Sequence, residues 1–210
     1  MIHCNQTLSL IRIITLVLLL VGCSSNKQEQ DYASIPLKNN QQKVAKIKNY
    51  QAIGKLVYNL KDKKQSCNFQ WKYTFQNSSI KLINFFGQPI LGLNIKPDSA
   101  QLKTYYNNKI FLEKNTTTLF RKLIGLNIPL EQLQYWIIGK PEDADIYQMN
   151  ENNILTSLSK KIDKKLWHVY YYKYQNVSLD ELTLLLPKKI QIRNDNIQVD
   201  LIILKWILNQ

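Results

Sequence analysis

The ten residues Ser66 to Phe75, SCNFQWKYTF, alternate strictly between apolar and polar side chains. A period of two is typical of a β-strand that buries one face. The apolar face of this strand carries Cys67, Phe69, Trp71, Tyr73 and Phe75. Because four of these five side chains are aromatic, we expect the strand to line the interior of a curved sheet.

Strand patterns extend from this stretch in both directions. Ala52 to Leu60 alternate in the same way, and KDKKQ at 61–65 predicts the hairpin between the two strands. Further strand patterns lie at 80–83, 91–95, 101–106, 110–112, 145–149, 154–158, 166–174, 182–186, 189–193 and 197–204. Asn-rich turn signals separate several of them. Many short antiparallel strands with one apolar face predict a curved sheet or barrel.

Two helical patterns interrupt the strands. The first has a threonine cap at Thr116 or Thr117 and then carries Leu119, Phe120, Leu123 and Ile124 at helical spacing. The second follows Pro129 and repeats Leu130, Leu133, Trp136 and Ile137 at intervals of three and four. Both must bury an apolar face, so we expect them to cover the concave side of the sheet as a lid. The fold class is therefore mainly β with a helical lid (α+β). A shorter helix is predicted at the start of the domain, within 41–50.

The N-terminal residues indicate export. Arg12 precedes the apolar run 13–21, which is too short to span a bilayer but suits a secretory signal. The following LVGC resembles the lipobox of bacterial lipoproteins, which implies lipidation of Cys23. Ser24 and Ser25 stand where that resemblance places aspartate in proteins kept at the inner membrane. We therefore expect a signal peptide at 1–22 and a lipid anchor in the outer membrane, facing the periplasm. An ordinary secretory signal or an N-terminal membrane helix is the alternative.

The remaining chain divides into a polar tether at 23–40 and a single domain at 41–210. The tether contains little to bury, whereas the domain is long enough for one core. Cys4 leaves with the signal and Cys23 becomes the anchor, so Cys67 has no partner for an internal disulfide.

The formal charge of +13 does not by itself identify the class of binding partner. An exported lipoprotein meets little nucleic acid, so anionic head groups or an acidic protein are better candidates for a partner. The accompanying richness in Lys, Asn, Ile and Tyr is also what an AT-rich genome produces without selection on charge. Both explanations remain open.

Catalytic signals are weak. His168 is the only histidine after the signal, and a dyad with Cys67 lacks an orienting third residue nearby. The chain contains neither a G-x-x-x-x-G-K-[ST] phosphate-binding motif nor a metal-ligand cluster. We therefore expect a protein that is not an enzyme and that has no cofactor besides the N-acyl diacylglycerol on Cys23.

A family resemblance joins these features. Ile128-Pro129-Leu130, Leu133, Trp136-Ile137, Gly139 and Pro141 resemble the lid-helix pattern of the LolB family, and YQAIGKLVY at 50–58 resembles its first strand. The resemblance implies an incomplete, strongly curved antiparallel β-barrel that encloses an apolar cavity. It also implies a monomer that accepts acylated lipoproteins from the carrier LolA and inserts them into the inner leaflet of the outer membrane, without nucleotide hydrolysis. A static lipid-binding or structural envelope lipoprotein is the alternative.

The aromatic face of the strand at 66–75 and the apolar faces of the two helices nominate residues for this cavity and its lid, and the resemblance nominates a tip. The expected cavity and lid residues are Phe69, Trp71, Tyr73, Phe75, Leu119, Leu123, Leu130, Leu133 and Trp136. Any one of them is more often plain core than a lipid contact. Asn84-Phe85-Phe86-Gly87 aligns with the family's protruding Asn-Pro-Leu-Gly loop, with Phe86 in the place of the leucine. We expect Phe85, Phe86 and Gly87 to form a membrane-inserting tip, although either ring could instead fold into the core.

Overall fold

The chain folds into a highly curved antiparallel sheet with helices against one face. The computed structural model describes residues 40–60, 63–114, 116, 118–119, 128–179 and 182–209. The strands are β1 Asn49–Leu60, β2 Lys63–Thr74, β3 Asn77–Ile83, β4 Pro89–Lys96, β5 Ser99–Thr104, β6 Lys109–Glu113, β7 Ile146–Met149, β8 Leu155–Ile162, β9 Lys165–Leu179, β10 Leu182–Arg193 and β11 Gln198–Asn209. The helices with defined bounds are α1 Asn40–Ala45 and α2 Leu130–Trp136.

All eleven strands belong to one sheet, in the order β6-β5-β4-β3-β2-β1-β11-β10-β9-β8-β7. Every pair of neighbouring strands is antiparallel, and the first and last strands of the sequence lie side by side at the centre of the sheet. The two outer strands, β6 and β7, are not paired with each other. The sheet is therefore unclosed, as expected for an incomplete barrel.

Two irregularities bend the central strands. The register between β1 and β11 shifts at Ile53 and Gly54, and a Cβ on Gly54 would lie 2.2 Å from the carbonyl oxygen of Ile202. Only glycine allows this close approach of two backbones. The second irregularity corrects a prediction, because 182–186 and 189–193 form one strand, β10, rather than two. Pro187 lies inside β10 at a register shift against β9, where its missing N–H can be tolerated.

Apolar side chains from the sheet and from α2 form one continuous core. Leu130, Leu133 and Trp136 of α2 are all buried, which confirms the helical spacing read from the sequence. Gly139 ends this segment with a φ of +80°. Of the first predicted helix, Thr116, Thr118 and Leu119 have helical backbone, and the rest of that pattern lies outside the described residues. The predicted signal peptide and the tether before Asn40 also lie outside them.

The strand register defines two edges of the sheet. Asn49 lies opposite Thr74 on one side and Asn209 on the other, so the start of β1 and the ends of β2 and β11 share what we call the groove edge. Ile83 pairs with both Asn68 and Pro89, which places the β3–β4 turn at the opposite end of the strands, here called the tip edge. In the described part of the chain, no helix is both long enough and apolar enough to cross a membrane.

Candidate functional site: an apolar groove and an exposed aromatic tip

Most of the predicted cavity and lid residues are packed together in the core. Phe69, Trp71, Leu119, Leu130, Leu133 and Trp136 are buried in one apolar cluster, against which the partly buried Tyr73 packs. Leu123 lies outside the described residues. The indole Nε1 of Trp136 is buried without a hydrogen-bond partner among the described residues. The Trp136 ring is therefore held by packing alone.

Phe75 was predicted to face the interior, and that prediction is wrong. Strand β2 ends at Thr74, which pairs with Asn77, and Phe75 and Gln76 form the two-residue hairpin turn. Gln76 has a φ of +66°, so the alternation of the strand stops there. The Phe75 side chain is consequently 67% exposed at the groove edge.

Tyrosines from the sheet hold the end of helix α2. Tyr50 of β1 donates to the carbonyl oxygen of Gln134 at 2.7 Å, and Tyr171 of β9 donates to that of Trp136 at 2.8 Å. The Gln134 carbonyl is one that the helix leaves unpaired at its C-terminus, whereas the Trp136 carbonyl also accepts from the backbone N–H of Gly139 at 3.0 Å. Burial raises the pKa of both Tyr50 and Tyr171 well above the ordinary value. Burial, reinforced by a hydrogen bond to Tyr73, raises the pKa of Tyr135 to about 12. All three tyrosines therefore remain protonated at neutral pH, and Tyr50 and Tyr171 can donate to the helix.

The segment after α2 is tied to strand β8. Lys160 Nζ lies 3.2 Å from Asp143 Oδ2 and 3.5 Å from Asp145 Oδ1. The backbone N–H of Lys161 donates to Asp145 Oδ2 at 2.8 Å. This backbone hydrogen bond, with the charge of Lys160, holds the pKa of Asp145 below its ordinary value. The same pairing, led by its hydrogen bond to Asp143, raises the pKa of Lys160.

An open apolar groove of about 360 Å³ lies at the groove edge. Its apolar lining comes from Ile47, Leu179, Leu182, Leu184 and Leu208, and its polar lining from Lys43, Lys46, Lys48 and Asn49. Lys46 and Lys48 are exposed, whereas Lys43 donates to the carbonyl oxygen of Thr183 at 3.2 Å. The groove thus combines an aliphatic floor with positive charge at its rim.

Helix α1 forms one wall of this groove because β10 leaves part of its backbone free. The pairing of β10 with β11 begins only at Lys189, so Leu185 needs other partners for its backbone. Asn40 supplies them: its Nδ2 donates to the Leu185 carbonyl at 3.1 Å, and its Oδ1 accepts from the Leu185 N–H at 2.8 Å. Two further bonds, from Gln41 to the Gly139 carbonyl and from Lys140 to the Ile47 carbonyl, connect α1 and the residues just after it to the segment after α2.

The turn between β3 and β4 carries two exposed phenylalanines at the tip edge. Phe85 is 81% exposed and Phe86 is 73% exposed, and their ring centroids lie 3.7 Å apart. Neither ring folds back into the core. The two rings contact each other and present one joint apolar surface to solvent.

This tip is organised by its own residues. Asn84 Oδ1 accepts from the backbone N–H groups of Phe86 at 3.0 Å and Gln88 at 2.9 Å, and Asn84 Nδ2 donates to Gln88 Oε1. Gly87 has a φ of +84°, a conformation that favours glycine, and donates to the Asn84 carbonyl. The loop therefore keeps a defined shape even without the proline found in the family pattern.

The structure separates Cys67 from His168. Three strands, β1, β11 and β10, lie between their strands β2 and β9. Cys67 lies two residues before the buried Phe69 and therefore faces the same side of the sheet as that ring. His168 directly follows the buried Trp167 and therefore faces the other side. His168 Nδ1 instead lies 3.0 Å from Ser159 Oγ. Burial raises the pKa of the Cys67 thiol, which opposes its use as a nucleophile.

Sequence reasoning missed the groove because its lining residues come from distant parts of the chain. Leu179, Leu182 and Leu184 flank the β9–β10 turn, and Leu208 belongs to the last strand. The signal available in the sequence was the presence of leucines around a turn, where polar residues are expected. The spacing of the leucines alone does not reveal that Lys43 of α1, with Lys46 and Lys48 just after that helix, completes the site.

Comparison with known proteins places this geometry in a family. Residues 48–206 match the family model described as outer membrane lipoprotein LolB. The outer-membrane lipoprotein LolB of Vibrio vulnificus is 36% identical over 93% of this chain and 96% of its own length. The LolB of Pectobacterium atrosepticum is 30% identical over 97% of this chain and 99% of its own length.

Solved structures share the fold at much lower identity. A putative outer membrane lipoprotein-sorting protein domain from Vibrio parahaemolyticus superposes with a TM-score of 0.55 at 9% identity, covering 83% of this chain and 92% of that one. A LolA superfamily protein from Nitrosomonas europaea gives a TM-score of 0.50 at 9% identity, covering 84% and 95%. The incomplete, strongly curved antiparallel β-barrel that the resemblance implied is thereby confirmed. With its sequence matched over most of its length, the chain belongs to the family of the outer-membrane lipoprotein LolB.

Proposed function

We propose that this protein accepts acylated lipoproteins from a LolA-type carrier at its groove edge and releases them into the inner leaflet of the outer membrane at its tip edge. It works as a monomer held to that membrane by the acylated Cys23. The observation that carries the proposal is the presence of two apolar features at opposite edges of the same sheet: the leucine-lined groove and the Phe85–Phe86 pair.

An apolar groove suits the chemistry of an acylated client. Removing a methylene from water is favourable by about 0.8 kcal/mol, so a free acyl chain in the periplasm is strongly disfavoured. Leu179, Leu184 and Leu208 offer an aliphatic surface on which part of a chain can be sheltered. Transfer then proceeds downhill, provided that each successive site binds the acyl chains more tightly than the one before.

The rim of the groove suits the encounter with a carrier. Lys46 and Lys48 are exposed beside the apolar lining, and Lys43 is partly buried next to them. A carrier that presents acidic side chains around its own opening would be attracted to this rim. Such long-range attraction raises the association rate more than the final affinity, and it weakens as salt is added.

The tip suits delivery. Burying a phenylalanine side chain contributes about 1.5–3 kcal/mol, so Phe85 and Phe86 together can enter a bilayer surface reversibly. The hydrogen bonds of Asn84 fix the loop, which lowers the entropy lost when the rings are inserted. Contact between tip and membrane would bring the barrel to the leaflet into which the client is released.

The proposal is tested with the full-length chain purified from membranes and reconstituted in vesicles. A LolA-type carrier is loaded with a fluorescently labelled lipoprotein, and both its release from the carrier and its arrival in the vesicles are followed. We expect release and arrival to depend on the reconstituted chain. If the chain only binds the carrier or its lipid without moving the client, the static alternative is correct.

A matched pair of variants assigns acceptance to the groove. Leu182 lines the groove and is exposed, so Leu182→Asp places a charge on the apolar floor without disturbing the core. We expect it to slow release from the carrier. Leu204→Asp, at another exposed leucine on β11 that does not line the groove, is the control and should leave release unchanged. Equal effects of both variants would remove the groove from the proposal.

A further inference from the structure

We propose that the turn between β5 and β6, residues 105–108, is a second membrane contact, in which Tyr106 enters the head-group region of an anionic bilayer beside the Phe85–Phe86 tip. This inference rests on the proposed function, because it assumes that the tip edge meets the membrane. It adds a residue outside the loop that the family resemblance nominated.

The two turns lie next to each other at the tip edge. Leu91 of β4 pairs with Thr104 of β5, so the end of β5 lies beside the beginning of β4. The backbone N–H of Tyr105 donates to the carbonyl oxygen of Ile90 at 3.0 Å, which continues this pairing into the turn. A membrane that meets Phe86 is therefore also close to Tyr106.

Within the second turn, one tyrosine is held and the other is free to reach outward. Tyr105 packs over Gly92, where an added Cβ would lie 3.4 Å from the Tyr105 hydroxyl, and Lys103 Nζ lies 5.1 Å from the centre of its ring. Tyr106, by contrast, is 82% exposed. The side chain of Asn107 accepts from the backbone N–H of Lys109 at 3.3 Å and from the Thr104 hydroxyl, which gives the turn a defined shape.

The charge around the two turns favours an anionic surface. Residues 77–113 contain four lysines and two acidic residues, Asp98 and Glu113, and Glu113 pairs with Ala100 near the groove edge. Asp98 lies in the turn between β4 and β5, which belongs to the groove edge. The tip edge of these strands therefore presents Lys103 and Lys109 without a neighbouring carboxylate from the same strands. Lysines near anionic lipids add attraction that decreases with ionic strength.

The two turns differ in the depth to which they can bind. Phenylalanine is wholly apolar, whereas tyrosine has an apolar ring and a hydroxyl, and it is enriched where hydrocarbon meets head groups. We therefore place Phe85 and Phe86 deeper and Tyr106 at the interface. Contact at two neighbouring turns restricts rotation of the barrel about a single tip and holds the strands in a defined orientation toward the leaflet.

The test uses the full-length chain reconstituted in vesicles of phosphatidylethanolamine and phosphatidylglycerol. Tyr106→Ser is compared with Tyr172→Ser, which alters another exposed tyrosine on β9, away from the tip edge. We expect Tyr106→Ser to slow client arrival in the vesicles by about threefold to tenfold, the effect of losing one interfacial ring. Release from the carrier should be unchanged. Tyr106→Trp should retain the wild-type rate, because tryptophan also partitions to the interface.

Each outcome has a definite meaning. If Tyr106→Ser behaves like Tyr172→Ser while Phe86→Ser slows arrival, the second contact is wrong and the proposed function stands. If neither Tyr106→Ser nor Phe86→Ser changes arrival, the tip edge does not meet the membrane. Both the second contact at Tyr106 and the delivery step of the proposed function are then wrong. A slower release from the carrier in Tyr106→Ser would identify the turn as a carrier contact instead. Unchanged thermal unfolding of each variant excludes misfolding as the cause.

Discussion

At the groove edge, Asn40 makes hydrogen bonds to a residue 145 positions away, whereas at the tip edge Asn84 makes its hydrogen bonds only within its own loop. The groove is built from α1, the β9–β10 turn and the end of β11. The tip is built from five consecutive residues, 84–88. One edge depends on the folded state of the whole domain, and the other is a local structure mounted on it.

This contrast indicates where stability and function can be separated. Side chains at the tip edge point into solvent, so replacing them changes the surface and leaves the core intact. Side chains beside the groove also hold helices to the sheet, so replacing them affects both binding and folding. The four predictions below test this contrast, in order of decreasing effect.

The largest expected effect is on the core beneath the groove edge. Trp136→Ala removes a fully buried ring and should lower the free energy of unfolding by about 3–5 kcal/mol, because the surrounding core cannot fill the cavity. Phe86→Ala removes an aromatic ring that is largely exposed, and should change the free energy of unfolding by less than about 0.5 kcal/mol. Urea unfolding measures both. A comparable loss in Phe86→Ala would mean that the tip is part of the folding unit.

The next effect is on delivery. Phe86→Glu places a charge where an apolar ring would enter the bilayer, and should slow client arrival in vesicles by about tenfold to a hundredfold, the equivalent of burying one phenylalanine. Release from the carrier and thermal unfolding should match those of the wild type. Phe75→Glu is the control, since Phe75 is also exposed but lies at the groove edge. Delivery that falls equally in both variants would show a general effect of charge.

A matched pair of asparagines tests the two edges directly. Asn40→Ala removes both partners of the Leu185 backbone in a buried setting, and should lower the free energy of unfolding by about 1–3 kcal/mol and slow release from the carrier. Asn84→Ala removes a similar number of bonds in an exposed loop, and should lower stability by less than about 1 kcal/mol while slowing delivery. Urea unfolding and the transfer assay separate the two. If both variants lost the same stability and slowed the same step of transfer, the proposed difference between the groove edge and the tip edge would be wrong.

The smallest effect is on acid stability. The folded-state pKa of Asp145 lies below its ordinary value, so its contribution is complete above about pH 5 and is lost as the pH falls through the lowered pKa. Asp145→Asn should therefore reduce the urea midpoint slightly at neutral pH, and this difference should disappear in acid. Asp98→Asn, at an exposed aspartate on the β4–β5 turn, is the control. If the difference in urea midpoint between the wild type and Asp145→Asn grew in acid, the lowered pKa assigned to Asp145 would be wrong.

Local patterns in the sequence account for much of the fold. The alternation of Phe69 and Trp71 predicted their burial, and the spacing of Leu130, Leu133 and Trp136 predicted the buried face of α2. Such patterns work because a strand or helix must bury one face wherever it packs. Phe75 shows their limit, because a strand may end one residue before its pattern does.

Sequence by itself determined most of the strands, the buried face of α2 and the presence of two phenylalanines before Gly87. Only the tertiary structure decided that both rings are exposed, that the turn carrying Tyr106 lies beside theirs, and that α1 packs against β10 beside a groove. These features depend on register and on contacts between residues far apart in the chain. A one-dimensional pattern records which faces are apolar, but not which backbone groups remain free for a distant side chain to satisfy.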